Sequence, residues 1–414
     1  MDLNRIRNYA ALIARVGINV QKGQEVDITS EVEQMDFVRI LVEEVYKAGA
    51  GKVNLNWTDT AITRLDIEYA DVERMSHLQS YEVARQEFNI EKHPARIWVD
   101  SEDPDALKGI DQEKYGKIIS SRGKEIRKYR DQYDDYCQWC IAGVPGKKWA
   151  KKVFPDLSEE DAVEALWKAI LKVSRAYDGD PVQNWENHNN SLVKHADRMN
   201  ALNLKKLHYY ASNGTDFTVE LIDDVLWEAG GEFTKETKIP FQPNIPTEEC
   251  FTTPHRLKTN GVVHSTKPLS YRGDVIDNFS IRFEDGKAVE VHAEKNEELL
   301  KNMISLDENA CYLGECALVP YHSPINETGI LFYSTLYDEN ASCHLALGMG
   351  FDMLLKDDSL YDTNEKKVEH GINKSIVHTD FMIGTADLCI DGTDNKGVVH
   401  KIFVNGNWSE ELDK

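Results

Sequence analysis

Five side chains able to bind a metal ion stand out in the second half of this 414-residue chain: Glu249 in PTEEC, Glu315 in GEC, His344 in DENASCHLALG, and His378 with Asp380 in HTDFMIG. Three carboxylates and two imidazoles make a ligand set suited to two adjacent divalent cations. Carboxylate oxygens mixed with imidazole nitrogens match zinc or cobalt first, with manganese or magnesium as alternatives. Calcium, which takes oxygen alone, fits poorly. Two cations roughly 3.5–4 Å apart clamp a carbonyl oxygen and lower the pKa of a shared water toward neutrality. That chemistry serves hydrolysis of amides or phosphoesters, and spacing alone does not choose between them.

Local pattern says which of these side chains share a face. His378 and Asp380 are one residue apart in the strand-like run SIVHTDFMIG, so both point to the same side. The structural alternative is a histidine and an aspartate hydrogen-bonded to each other on a solvated face. His344 opens the apolar run HLALGMGF, predicted as a helix over 341–355, with Ser342 or Asn340 as its cap and Glu339 just outside. A lone histidine at such a helix start is as readily structural as a ligand. Glu248 and Glu249 follow Pro243 and Pro246 in an extended run, where neighbours point opposite ways and only one faces a shared site. Glu315 sits between apolar neighbours, where a carboxylate is costly to bury without a cation or a donor.

The elements that must position these residues fall into two halves. Residues 2–16 and 32–48 carry apolar residues at helical spacing, and Gly49 and Gly51 end the second helix. KVNLNW and RIWVD read as strands, and helical stretches are predicted over about 60–90, over 112–134 and after DLSEEDA. Repeated β-then-α units predict an N-terminal α/β domain, residues 1–200, with a largely parallel sheet. From about residue 206 the runs become short and strand-like, and Asp285-Gly286 in FEDGKA marks a hairpin turn. Residues 201–414 are therefore expected to form a mainly antiparallel α+β domain carrying the metal site, with helices chiefly over 293–304 and 341–355.

Composition narrows the partners. The net charge of −23 disfavours nucleic acid phosphates and anionic membranes. No run of about 18 apolar residues is present, and the N-terminal MDLNRIRNYAALIARVGINV lacks the apolar core of a signal peptide, so a cytoplasmic protein is expected. Seven cysteines include a CQWC quartet, but no second pair follows at zinc spacing, and ordinary reduced thiols are expected. No GxGxxG or GxxxxGK[ST] motif supports nucleotide binding.

Taken together, NIPTEECFTTPH, GECALVP, TGILFYSTLYDENASCHLALG, NKSIVHTDFMIG and, in the first half, GVPGKKWAKKVFP closely resemble the peptidase M29 family of dinuclear metallo-aminopeptidases. The resemblance covers nearly the whole chain. It implies release of N-terminal residues from peptides with a free N-terminus, two cocatalytic cations, and a homodimer whose active sites face an enclosed space. It places Glu249, Glu315, His344, His378 and Asp380 at the ligand positions, with Glu339 as a further ligand or a carboxylate acting on the water. In the mechanism this implies, a metal-bridging water attacks the scissile carbonyl, and Glu339 or Glu248 takes its proton and passes it to the leaving amine. One departure is plain: members often carry a tyrosine seven residues past the histidine, and this chain has Phe351, which cannot donate a hydrogen bond. Either Tyr337 substitutes or turnover is reduced. The alternatives to a peptidase are a non-catalytic metal-stabilised binding protein and a two-metal phosphoesterase, the latter without an evident phosphate-binding loop.

Overall fold

The computed structural model describes residues 2–413, with Asp358 described by its backbone alone. The chain divides into two compact units, Met1–Asn187 with Gly231–Pro246, and His188–Gly230 with Thr247–Lys414. The return of Gly231–Pro246 to the first unit was not part of the sequence expectation.

In the first unit β1 (Glu25–Glu31), β2 (Lys52–Thr58), β3 (Ala95–Asp100) and β4 (Trp139–Gly143) run parallel, and Asn244–Ile245 adds a fifth parallel strand beside β4. Period-two alternation sends Val26, Ile28, Val53, Ile97 and Val99 to one buried face. The helices Leu3–Leu12 and Met35–Ala48 bury Tyr9, Leu12, Phe37, Val38, Leu41 and Val45, the apolar stripe that the spacing predicts. Gly49, at φ 125°, closes the second helix in a conformation that few other residues adopt. The helical stretch over 60–90 is broken into Thr60–Tyr69, Val72–Ser76 and Ser80–Lys92. Asp59 and Asp71 each cap the helix that follows, and each cap needs a non-helical residue.

The second unit holds two antiparallel sheets of nine and five strands and a separate core. Asp285 and Gly286, at φ 47° and 83°, make the expected two-residue turn between Asp274–Glu284 and Lys287–Lys295. Because the second of these strands continues to Lys295, the helix expected over 293–304 is confined to Glu297–Met303.

The smaller sheet is built from β5 (Glu228–Ala229), β6 (Cys250–Thr252), β7 (Leu313–Leu318), β8 (His344–Gly348) and β9 (His378–Met382), paired in that order. Its inner face, with Cys250, Cys316, Leu318, Leu345, Leu347 and Phe381, joins one apolar core with Phe217, Val219, Phe279 and Ile281 of the larger sheet. The polar residues of the candidate site alternate onto the other face.

One expectation is overturned here. His344 does not start a helix over 341–355; it starts strand β8, with only a short 3-10 turn, Glu339–Ala341, before it. All five residues of HLALG are buried, so the strand reads as a continuous apolar run that periodicity cannot tell from a helix. Gly348, at φ 105°, ends the strand, so no helix begins here for Asn340 or Ser342 to cap.

Candidate metal centre

Cross-strand register sets the polar residues in rows on the outer face of the smaller sheet. His344 lies opposite Ala317 and Met382, Ala346 opposite Glu315 and Asp380, and Gly348 opposite His378. Two alanines and a glycine thus leave open the space that the longer side chains fill. Glu249 enters from one residue before β6.

The side chains converge. His344 Nε2 is 3.2 Å from Glu249 Oε2 and 4.0 Å from Glu315 Oε1, and His378 Nε2 is 3.1 Å from Glu315 Oε2 and 3.2 Å from Asp380 Oδ1. These contacts define two groups, Glu249–Glu315–His344 and Glu315–His378–Asp380, each with its donor atoms within 4.8 Å of one another. Glu315 belongs to both, as a carboxylate bridging two cations must. The two imidazoles are oriented from behind: Nδ1 of His378 is 2.8 Å from the Met349 carbonyl, and Nδ1 of His344 is 3.4 Å from the Ser342 carbonyl. An Nδ1–H donating to a carbonyl leaves the Nε2 lone pair for a ligand.

The electrostatics show an excess of negative charge. Burial pushes the Glu315 carboxyl up to about 7; the His378 hydrogen bond opposes this, while Glu249 and Asp380 add to it. Burial pulls His344 down, but the hydrogen bond and charge of Glu249, then Glu315 and Asp380, hold it up to about 10. His378 is likewise held well above its ordinary value against burial, chiefly by Asp380. Asp380 is raised by burial but lowered on balance by His378. Its Oδ1 is buried and makes no hydrogen bond among the described residues. A buried carboxylate oxygen aimed at imidazole nitrogens, within a group short of positive charge, is what a divalent cation satisfies, so these residues fit one.

Glu339 lies in the 3-10 turn before β8, and burial, with the charges of Asp380 and Glu249, pushes its carboxyl well up. Its carboxyl and that of Asp380 are close enough for the charge of Asp380 to raise it. The neighbouring carboxylate, Glu248, turns elsewhere: its Oε2 is 3.8 Å from His188 Nε2, which is bonded to the Thr247 carbonyl at 2.7 Å. The alternation expected of the extended run therefore brings Glu249 to the group and takes Glu248 from it.

Several supporting residues were not anticipated. Asn340 is fully buried; its Oδ1 accepts the Glu248 N–H at 2.8 Å, and its amide nitrogen is 3.3 Å from Glu339 Oε1. It ties the Glu249 arm to the Glu339 turn. Asn373, also fully buried, donates to the Gly348 carbonyl at 2.5 Å and holds the start of the loop between β8 and β9. A buried amide in DENASCH was visible in the sequence, but nothing there separated it from an ordinary turn asparagine. The Phe351 ring lies 5.1 Å from the His378 ring and 5.4 Å from Phe251, while Tyr337 is fully buried and stacked on Phe332 at 4.8 Å. Cys137 and Cys140 are buried free thiols whose pKa values are raised by burial, the inert state expected of them.

A carboxylate–imidazole group of this kind, laid on one face of an antiparallel sheet, could hold divalent metal. The chain belongs to the thermophilic metalloprotease (M29) family, which it matches over residues 3–408. It is 42% identical over 407 residues to aminopeptidase AmpS of Bacillus subtilis (strain 168), covering 98% of both chains. To aminopeptidase 2 of Geobacillus stearothermophilus it is 39% identical over 406 residues, covering 98% of this chain and 97% of the other. Its structure matches wild-type AmpT from Thermus thermophilus with a TM-score of 0.90 at 35% identity, over 98% of this chain and 99% of that one. A 2,5-dihydroxypyridine dioxygenase of Pseudomonas putida shares the fold alone, at a TM-score of 0.50 and 10% identity over 100% of this chain and 98% of the other. Among the described residues no helix is long and apolar enough to cross a membrane.

Proposed function

We propose that this chain is an aminopeptidase that releases N-terminal residues from peptides by metal-assisted hydrolysis. The observation that carries the reading is the shared position of Glu315 in two adjoining ligand groups. Relatives that span nearly all of the chain and are named aminopeptidases point the same way. Glu249, Glu315 and His344 would hold one divalent cation and Glu315, His378 and Asp380 the other, zinc or cobalt before manganese or magnesium. When bound, such cations polarise the scissile carbonyl and supply a water of lowered pKa.

The chain's own residues do the rest. Glu339, in the turn before β8 and beside Asp380, is the carboxylate that accepts a proton and returns it to the leaving amine. Glu248, turned to His188, has the weaker claim to that role. The unit His188–Gly230 with Thr247–Lys414 would carry catalysis, in a cytoplasmic homodimer. Hydrolysis of aminoacyl-nitroanilides is measured before chelation, after it, and after metal is restored. Activity untouched by the chelator would sink the reading. Stoichiometric metal without hydrolysis would favour a metal-stabilised binding protein.

A further inference from the structure

Of the two imidazoles, His378 is the less firmly held by its own strand. It is the first residue of β9, the edge strand of the smaller sheet, and its side chain is 28% exposed. His344, on β8 between β7 and β9, is 1% exposed. An imidazole at the start of an edge strand needs partners outside the ladder to keep one orientation. Two such partners lie in the segment after β8. The Met349 carbonyl faces Nδ1 at 2.8 Å, and the Phe351 ring stands 5.1 Å from the imidazole ring.

That segment is itself pinned. The N–H groups of Gly348, Met349 and Gly350 donate to the Tyr312, Val377 and Asn373 carbonyls at 2.8, 2.7 and 2.8 Å. The next N–H, that of Phe351, donates to a side chain instead: Thr253 Oγ1, at 3.2 Å. Thr253 directly follows β6 and is fully buried, and its hydroxyl donates in turn to the Gly314 carbonyl. β7 bulges at that point: Leu313 pairs with Leu347 but Glu315 with Ala346, so Gly314 is the extra residue left off the ladder. Gly314 also lies directly against the Met349 peptide, where an added methyl group would stand 2.2 Å from the Met349 oxygen. One buried hydroxyl therefore clasps both ends of this contact, Gly314 on one side of the Met349 carbonyl and Phe351 on the other.

We infer that Thr253 is a positioning residue for His378: its hydroxyl, held between the Gly314 carbonyl and the Phe351 N–H, fixes the carbonyl and the ring that aim Nε2 of His378 into the group with Glu315 and Asp380. The inference rests on the two-cation reading above and adds to it a residue behind one of the two groups. Without the hydroxyl, two buried main-chain groups lose a partner, and the segment must shift to find others. His344, enclosed in the sheet and turned to the Ser342 carbonyl, does not depend on Thr253. The two ligand groups are therefore expected to respond unequally, although they share Glu315.

The test titrates zinc into the metal-free, full-length wild type, Thr253→Val and Thr253→Ser, in competition with a chromophoric chelator. Valine keeps the shape and removes the hydroxyl; serine keeps the hydroxyl and removes the methyl group. The wild type is expected to bind two equivalents. In Thr253→Val one equivalent is expected to stay within about threefold of the wild type and the other to weaken about 10–100-fold, while Thr253→Ser keeps both within about threefold. His378→Gln is expected to lose the same equivalent, so that adding Thr253→Val to it changes the remaining one by no more than about threefold. Two unchanged equivalents in Thr253→Val overturn the inference, as do two equally weakened ones, the mark of a general loss of packing. A serine variant as weak as the valine variant overturns it too, because the methyl group would then be what matters. Should Thr253→Val not fold, Thr253→Ala, which also lacks the hydroxyl, is read in its place against the same expectations. A wild type that binds fewer than two equivalents refutes the two-cation reading itself and takes the inference with it.

Discussion

Nε2 of His378 stands 3.1 Å from Oε2 of Glu315, while the other oxygen of the same carboxylate, Oε1, lies 4.0 Å from Nε2 of His344. One carboxylate on the middle strand thus addresses two imidazoles, each through a different oxygen, on the two strands that follow it to one side of the sheet. Replacing Glu315 by glutamine keeps the shape and removes the charge that both groups share. Titration of the metal-free protein is expected to show both sites weakened, by at least about 10–100-fold, with hydrolysis lost in parallel. Retention of full metal content would remove Glu315 from the ligand set.

Asn340 makes a different prediction, because it touches no ligand oxygen of the two groups. Asn340→Ala cuts the link between the Glu248 backbone and the Glu339 side chain. Metal affinity, read by calorimetric titration, is expected to fall about 10–100-fold. Thermal stability is expected to drop by about 1–3 kcal/mol, since the Glu248 N–H loses its acceptor. A stability loss without a change in metal affinity would make Asn340 merely structural.

Phe351 lies against the His378 ring and has no hydrogen to donate. Phe351→Tyr adds a hydroxyl near the group, and kcat on leucyl-nitroanilide is expected to rise about tenfold, a modest share of what an oxyanion donor contributes elsewhere. An unchanged kcat would show that the reaction draws its donor from another residue.

Asp352 anchors the loop between β8 and β9: Lys367 Nζ and Lys374 Nζ each lie 2.6 Å from its Oδ2. Burial alone would raise its pKa, but the two ammonium groups hold it down to about 2. A carboxyl with a depressed folded pKa stabilises the fold above its unfolded value, near 3.8, and that contribution is lost as the pH falls through about 2. After allowance for its partial exposure, Asp352→Asn is expected to cost about 1–2 kcal/mol at pH 7. Denaturant melts of wild type and variant should converge as the pH drops from about 4 toward about 2, and a gap that widens in acid would contradict the assignment.

The parts legible in the sequence are those where local periodicity and global burial agree. His378 and Asp380 are one residue apart on a short strand, so their common face could be read from spacing alone. The Asp285-Gly286 turn and the helix ending at Gly49 depend on backbone conformations that few residues adopt, so residue type alone located them. Strand β8 failed for the opposite reason: burial on both sides erased its alternation and made His344 look helical. The convergence of Glu249, Glu315 and His344 depends on register between strands far apart in sequence, which no local signal encodes. The recruitment of Asn340, Met349 and Asn373 follows from the same register and was equally out of reach.

The alternation of faces in the smaller sheet also makes the cation a proofreader of folding. A slip of one residue between β8 and β9 would turn His378 and Asp380 into the apolar core and Phe381 out of it. No misaligned pairing can assemble both ligand groups, so a cation rewards the native register and no other. Refolding in the presence of metal should therefore raise the yield of correctly paired protein as well as its final stability.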